Sequence, residues 1–317
     1  MFDRSKMGLT NVPGVFVFPP MPGDLDPNTA LTITLIKHGI LWRRPTEKDH
    51  PATHSAWNKA FAAGLAKKHV VSHITPLPER IHRPAPFAKP FDGLCTPSSS
   101  WSGARRRDPW PDWPGVRTVV GTWVVPTVSR PTWSAGLADG KWISSSWIGL
   151  GGDPEAVDSP PLLQAGITQD VDESGTPVYY AWYAFDFAEH KIDNFVVRAQ
   201  DEVNFSVQYQ PNGKWAIITG LNVTTGNYHP LAFQLDESHI PGSSVEWIVE
   251  VPGGGYAADH VIPQMPPVTF TSAIGCNGEA ILANSDRDRC YEIWDRTRQV
   301  NRVDFGSTPD SFTITLV

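Results

Sequence analysis

Beyond Trp101 the 317-residue chain predicts an all-β fold, a sandwich or a barrel, and three observations carry that prediction. The region is crowded with Val, Thr, Trp, Tyr and Phe, residues that fit a pleated, half-buried surface. Gly, Pro, Asn and Asp clusters break it at short intervals, the chemistry of turns. No stretch after Trp101 keeps a helical period, and many short strands separated by turns close into two sheets or one barrel. In order along the chain, Val119 to Val125, Trp142 to Ile148, Val178 to Phe187 and Phe195 to Gln200 read as strands. Pro211-Asn212-Gly213-Lys214, between Phe205–Tyr209 and Trp215–Ile218, reads as a hairpin turn, because Asn-Gly supplies the positive φ values of a tight connection.

Two of the strands carry polar residues where apolar ones are expected. Alternation puts Leu162, Gln164, Gly166 and Thr168 on one face of the first, opposite Leu163, Ala165 and Ile167. In the second it puts Glu246, Ile248 and Glu250 on one face, with Val245, Trp247, Val249 and Val251 on the other. A carboxylate and a carboxamide on semi-buried sheet faces carry a desolvation cost. Either they satisfy each other as a structural hydrogen-bonded pair, or a function uses them.

The first 97 residues differ in kind. Residues 1 to 95 hold 12 Lys and Arg against 7 Asp and Glu, a balance of +5, whereas the remainder stands at −12. The first 35 residues are rich in Pro and Gly and read as extended coil. Trp57, Ala60, Phe61 and Leu65 fall at helical spacing beside Lys59, Lys67 and Lys68, so a basic amphipathic helix is expected near 53–70. Residues 75 to 100 carry six prolines and read as a linker. His50/His54 and His69/His73 have the i, i+4 spacing of helical metal ligands, but no acidic or Cys partner completes a site, so solvated helix histidines are expected. Three cysteines are too few for a disulfide framework; Cys276 and Cys290 could bridge a terminal loop, leaving Cys95 over. Val15–Phe18 is too short for a secretory h-region, and no run reaches membrane-spanning length. Asn204-Phe205-Ser206 and Asn222-Val223-Thr224 match glycosylation acceptors. Net acidity and the lack of basic-aromatic clusters argue against nucleic acid.

An ordered series of short motifs runs from Trp101 to Thr271. It opens with Trp101-Ser102-Gly103-Ala104, then Gly121 to Val128 (GTWVVPTV), Ser146 to Gly152 (SWIGLGG) and Leu163-Gln164-Ala165-Gly166. Ala181-Trp182-Tyr183, Leu221 to Gly226 (LNVTTG) and Glu246-Trp247-Ile248-Val249-Glu250 complete it. In this order and spacing the series resembles the eqolisins, glutamic peptidases whose catalytic pair is one Gln and one Glu. The resemblance implies a lectin-like (concanavalin-like) antiparallel β-sandwich of two sheets over 98–317, with the active site on the concave face of one. It implies that residues 1–97 are a propeptide-like extension whose positive charge covers an acidic cleft until its acids protonate; a separate accessory segment with an unrelated binding role is the other reading. Gln164 and Glu246 then match the catalytic pair. Trp147, Trp182, Tyr180 and Glu250 are expected to line the substrate site, although Trp147 reads equally as a core residue.

That resemblance implies a monomer acting on peptide or unfolded protein with no metal or cofactor, the N-terminal segment serving as inhibitor. His-Glu-x-x-His, Gly-x-Ser-x-Gly and Gly-rich phosphate-loop motifs are absent from the sequence. Three departures stand out: Gly151 where members carry Asp, Ala184 where they carry Glu, and Tyr180 where some carry Asp. Fewer neighbouring acids imply a smaller upward push on the pKa of Glu246. Two other readings stay open, a catalytically degenerate module holding peptide or glycan on its aromatic face, and a glycosidase. The latter needs two carboxyls about 5–9.5 Å apart, whereas Glu246 and Glu250 lie about 13–14 Å apart along their strand.

Overall fold

The computed structural model describes residues 4–40, 42–61, 68–69, 73–82, 95–107, 116–132, 142–153, 161–185, 188–210, 214–235, 244–258, 260–276, 280–283, 290–295 and 298–317. The first hundred residues hold strands β1 (Gly8–Leu9) and β2 (Val15–Val17), helices α1 (Thr32–Lys37) and α2 (Pro51–Phe61), and strands β3 (Lys68–His69), β4 (Ile74–Ile81) and β5 (Thr96–Ser98). Strands then follow in close succession: β6 (Trp101–Arg107), β7 (Thr118–Val124), β8 (Ser145–Leu150), β9 (Leu163–Val171), β10 (Pro177–Phe185) and β11 (Ala188–Ile192). Next come β12 (Glu202–Gln210), β13 (Trp215–Asn222), β14 (Asn227–Gln234), β15 (Ser244–Glu250) and β16 (Val268–Cys276). The last are β17 (Ala280–Leu282), β18 (Cys290–Asp295), β19 (Arg298–Gln299), β20 (Asn301–Phe305) and β21 (Phe312–Leu316).

These strands form two sheets. An eleven-stranded sheet runs β1-β2-β14-β13-β12-β7-β16-β21-β20, with β3 beside β14 and β17 beside β16. A ten-stranded sheet runs β19-β18-β6-β15-β8-β9-β10-β11-β4, with β5 beside β18. All pairings are antiparallel except β3 with β14 and β5 with β18, and both exceptions come from the N-terminal hundred residues. The facing sides of the two sheets interdigitate as one core, in which Leu163, Ala165, Ile167, Val245, Trp247 and Val249 meet Val119, Trp123, Phe205 and Ile218. Alternation predicts which residues of β9 and β15 enter that core, and the structure agrees. Trp247 also donates its indole N–H to the Val120 carbonyl at 2.7 Å, a bond that crosses between the sheets.

The extension is built into the body rather than hung from it. Gly14, at φ 80°, closes the β1–β2 hairpin, and β2 adds to the edge of β14 with Val17 opposite Leu231. Strand β4 adds to the edge of β11, with Ile74 opposite Ile192. Among the described residues the expected coil over 1–35 and linker over 75–100 are therefore corrected, residues 1–3 and 83–94 lying outside them. Pro76 and Pro78 fit because β4 is an edge strand, where a missing N–H costs no ladder bond. Helix α2 starts with Pro51 at its first position, and the His50 ring accepts the Ala52 N–H at 3.1 Å. It buries Ala56, Trp57, Ala60 and Phe61 against Leu221, Tyr228 and Ile274, on the outer face of the eleven-stranded sheet. Burying a side chain such as Phe61 contributes roughly 1.5–3 kcal/mol. The helix ends at Phe61, short of the predicted 70; residues 62–67 lie outside the described residues, and 68–69 are a strand.

Other expectations change too. His69 lies on β3, so His69/His73 is not a helical pair; His54 bonds the Thr46 carbonyl and His73 pairs with Asp193. Residues 195–200 form no strand, because Phe195 and Val197 enter the core from an irregular segment that ends with Gln200 at φ 70°. The predicted turn at 211–213 lies outside the described residues, but Gln210 stands opposite Trp215 as a hairpin requires. Asn204 and Asn222 are buried and hydrogen-bonded to Thr122 and Asp201, so neither presents a glycan acceptor. The disulfide joins Cys95 to Cys290, with Cα atoms 4.6 Å apart, not Cys276 to Cys290. Its cause is the parallel β5–β18 pairing, which sets Thr96 opposite Tyr291 and so brings the preceding cysteines together. No helix among the described residues is long and apolar enough to cross a membrane.

Candidate active site

The outer face of the ten-stranded sheet gathers the polar residues that alternation expels from the core. Arg105 stands opposite Glu246, Glu246 opposite Gly149, Gly149 opposite Gln164, Gln164 opposite Ala184, and Ala184 opposite Glu189. Directly opposed residues share a face, so these six form one row across five strand boundaries. Glu246 and Gln164 are two strands apart, about 10 Å between backbones, and the residue between them is a glycine. A Cβ on Gly149 would meet Leu162 Cδ1 at 2.8 Å and Trp147 Cζ3 at 2.9 Å. The missing side chain therefore makes room for Leu162 and Trp147, which pack over Gly149 between the two polar groups.

Both groups are fully buried, and neither Glu246 oxygen nor either terminal atom of Gln164 has a hydrogen-bond partner. Four buried polar atoms without partners are costly, by about 1–3 kcal/mol each. Burial pushes the Glu246 carboxyl well above the usual carboxylate range; the nearby Ser244 hydroxyl, close but outside hydrogen-bond geometry, pulls it back, Asp153 pushes it further, and the Arg105 guanidinium lowers it. The expectation of a small upward push is thus corrected, since desolvation rather than like charge dominates.

A second row, two residues along each strand, holds Ile248, Trp147, Gly166 and Trp182, and a third holds Glu250, Ser145, Thr168 and Tyr180. The Trp147 indole donates to Glu250 Oε2 at 2.8 Å, and Trp101 meets the Trp147 ring edge-on at 4.9 Å. Tyr180 donates its hydroxyl to Glu189 Oε2 at 2.8 Å, and Thr168 donates to Glu189 Oε1 at 3.2 Å. All the residues predicted to bind substrate thus lie on one face with the Gln and the Glu.

Into this face the extension inserts His82, the residue after β4. Its ring is fully buried, with Nδ1 2.6 Å from Glu250 Oε2 and Nε2 2.7 Å from Glu189 Oε1. It stacks on Trp182 with centroids 4.0 Å apart and planes at 13°. Burial drags the imidazole pKa down, but the charge of Glu250 and the hydrogen bonds to Glu189 and Glu250 outweigh it and lift the value to about 9. Two residues back, Arg80 forms an ion pair with Asp170. A cavity of about 810 Å³, lined by Arg80, Asp170, Asp172, Tyr180 and His260 among others, opens beside this strap and not over Glu246.

The family model for the peptidase A4 family matches residues 99–315. The chain belongs to that family, the eqolisins. Scytalido-glutamic peptidase with a transition-state analogue inhibitor superposes with a TM-score of 0.52 at 21% identity, over 69% of this chain and 98% of that chain. SCP-B, an eqolisin in complex with the tripeptide Ala-Ile-His, gives 0.50 at 19% identity, again over 69% and 98%. Aspergilloglutamic peptidase from Aspergillus niger gives 0.47 at 24% identity, over 56% and 99%. At these identities the likeness is one of fold. No curated protein sequence matches the chain.

Within this eqolisin the sequence reading missed four groups: His82, Glu189, Arg105 and Asp153. Glu189 had a usable signal, because the β10–β11 hairpin sets it opposite Ala184 and returns a carboxylate to that side of the row. Asp153, two residues past Gly151, is likewise buried and bonded to Arg105 at 2.6 Å. His82 had none, since nothing local to a proline-rich segment says which distant carboxylates it will meet. Among the described residues no group of three or more His, Cys, Asp or Glu is arranged to hold a metal ion.

Proposed function

We propose that the chain is an acid-acting glutamic endopeptidase in which Glu246 activates water and Gln164 stabilises the tetrahedral oxyanion. The observation that carries this reading is the pairing of Glu246 with Gln164 across Gly149, on one face, with all four terminal polar atoms unpartnered. A structural pair would have satisfied itself; this one keeps its hydrogen-bonding capacity for something else. As a carboxylate, Glu246 takes a proton from water while the oxygen attacks the scissile carbonyl, and later gives that proton to the leaving amine. The Gln164 amide donates to the oxyanion, and its carbonyl helps hold the water. Trp147, Trp182, Tyr180 and Glu250 form the floor on which a peptide or unfolded protein segment lies.

In this reading residues 74–82 are the inhibitory part of the extension. His82 occupies the substrate face on Glu189 and Glu250, and while that face stays covered the burial of Glu246 favours its protonated form, which is unable to act as a base. Acid weakens the two ion pairs that hold the imidazolium. The opened cleft then hydrates, and the Glu246 carboxyl falls back toward the ordinary carboxylate range.

The test is hydrolysis of an unfolded protein from pH 2 to 7 by wild type, His82→Ala and Glu246→Gln, with pepstatin and a chelator present throughout. Cleavage at acid pH by the first two and none by the third is expected. No cleavage by wild type or His82→Ala at any pH overturns the proposal and favours a module that binds peptide without cutting it.

A further inference from the structure

Arg105 and Asp153 play no part in the mechanism above, yet they are built against its base. Arg105 faces Glu246 directly across the β6–β15 ladder, so both side chains leave the same side of the sheet. The Arg105 side chain is 4% exposed, and its Nη1 donates to Asp153 Oδ1 and to the Tyr291 hydroxyl oxygen, each at 2.6 Å. Asp153 reaches that position by a turn only glycine makes easily. Gly151 and Gly152 have φ of 81° and 80°, and a Cβ on Gly152 would meet Leu162 Cβ at 2.7 Å. The Gly151 N–H anchors the turn on the Ser244 carbonyl at 3.0 Å, two residues before Glu246. A buried ion pair costs desolvation that its own attraction rarely repays, so its place beside an unpartnered carboxyl calls for a role.

We propose that the Arg105–Asp153 pair is a positioning device that sets the ionisation of Glu246, and so the acid limit of the reaction, by fixing one positive and one negative charge beside the base. The inference rests on Glu246 being that base. The other groups facing it are Glu250 on its own strand, Tyr291 from β18, Tyr180 and Glu189 from β10 and β11, and His82 from the strap. Glu250, Glu189 and Tyr180 are engaged with one another through His82. The Arg105–Asp153 pair stands on the opposite side of the row, where its two charges act on Glu246 with opposite sign.

The experiment compares Arg105→Met and Asp153→Asn with wild type by the pH profile of kcat/KM and by ¹³C titration of the Glu246 carboxyl, assigned with Glu246→Gln. Losing the cation moves the acid limb and the Glu246 midpoint up by about one unit, and losing the anion moves both down by about as much. Well below the limb, Arg105→Met then loses about tenfold in kcat/KM, while Asp153→Asn gains there. Both variants lower the melting temperature, as breaking any buried pair does, so stability does not decide the question. Limbs that move the same way, or stay in place, overturn the inference. If Arg105→Met does not fold, Asp153→Asn decides alone, and a limb that stays or rises overturns it. A wild type without peptidase activity defeats the mechanism but leaves the Glu246 titration, where unchanged midpoints still defeat the device.

Discussion

The two faces of the ten-stranded sheet are made by alternate residues of the same strands, and they obey opposite rules. On the inner face Val245, Trp247 and Val249 of β15 meet Leu163, Ala165 and Ile167 of β9 in one apolar core. On the outer face the intervening residues are Glu246, Ile248 and Glu250 beside Gln164, Gly166 and Thr168, equally buried. Glu250 Oε2 is satisfied through His82 and Trp147, whereas Glu250 Oε1, both Glu246 oxygens and both terminal atoms of Gln164 have no partner. Burial alone therefore does not separate scaffold from site. Unpartnered polar atoms occur on both faces, Tyr183 and Gln169 on the inner one. Only on the outer face do a carboxyl and a carboxamide, Glu246 and Gln164, stand in one row with all four terminal atoms unpartnered, a state suited to groups that complete their bonding with a ligand.

Substitutions on the two faces break this contrast differently. Glu246→Gln keeps the volume and removes only the base, so activity falls by up to about 10⁴-fold while the melting temperature holds or rises. A variant that loses activity and stability together would assign Glu246 to the scaffold. Trp247→Ala, next in sequence but on the inner face, costs about 3–5 kcal/mol in denaturant unfolding. It empties a core site and strips the Val120 carbonyl of its donor. Gln164→Ala lowers kcat by about 10²–10³-fold, as loss of an oxyanion donor does. Its stability is close to neutral, because no intramolecular hydrogen bond is lost. A large destabilisation would show a partner for Gln164 within the chain.

The inner face was legible in the sequence because alternation is a local property: a residue's side of a strand follows from its neighbours' sides. Gln164, Glu246, Trp147 and Trp182 were placed on one face for the same reason. What the sequence could not carry was contact between distant segments. Cys95 meets Cys290 only because β5 runs parallel beside β18. Glu189 enters the row only through the β10–β11 register, and reading that strand on to Phe187 hid the hairpin. The prolines of β4 argued for a linker, and only the position of that strand at a sheet edge makes them acceptable. Residues 195–200 show the converse failure, since Phe195 and Val197 alternate to reach the core without pairing to any strand.

His82 tests the join between the extension and the outer face, with a smaller effect of definite sign. Its pKa rises from 6.5 to about 9 on folding, so the stability it contributes is fully present below about 6.5 and lost as the pH climbs through about 9. This holds while Glu189 and Glu250 keep their charge. The contribution is about 3 kcal/mol. Melting temperatures of wild type and His82→Asn should differ most near pH 6 and draw together by pH 10. A gap independent of pH would mean that the ring is held by stacking on Trp182 and not by the two carboxylates. In that case acid has no purchase on the strap, and opening the cleft must depend on cutting the chain rather than on protonating it.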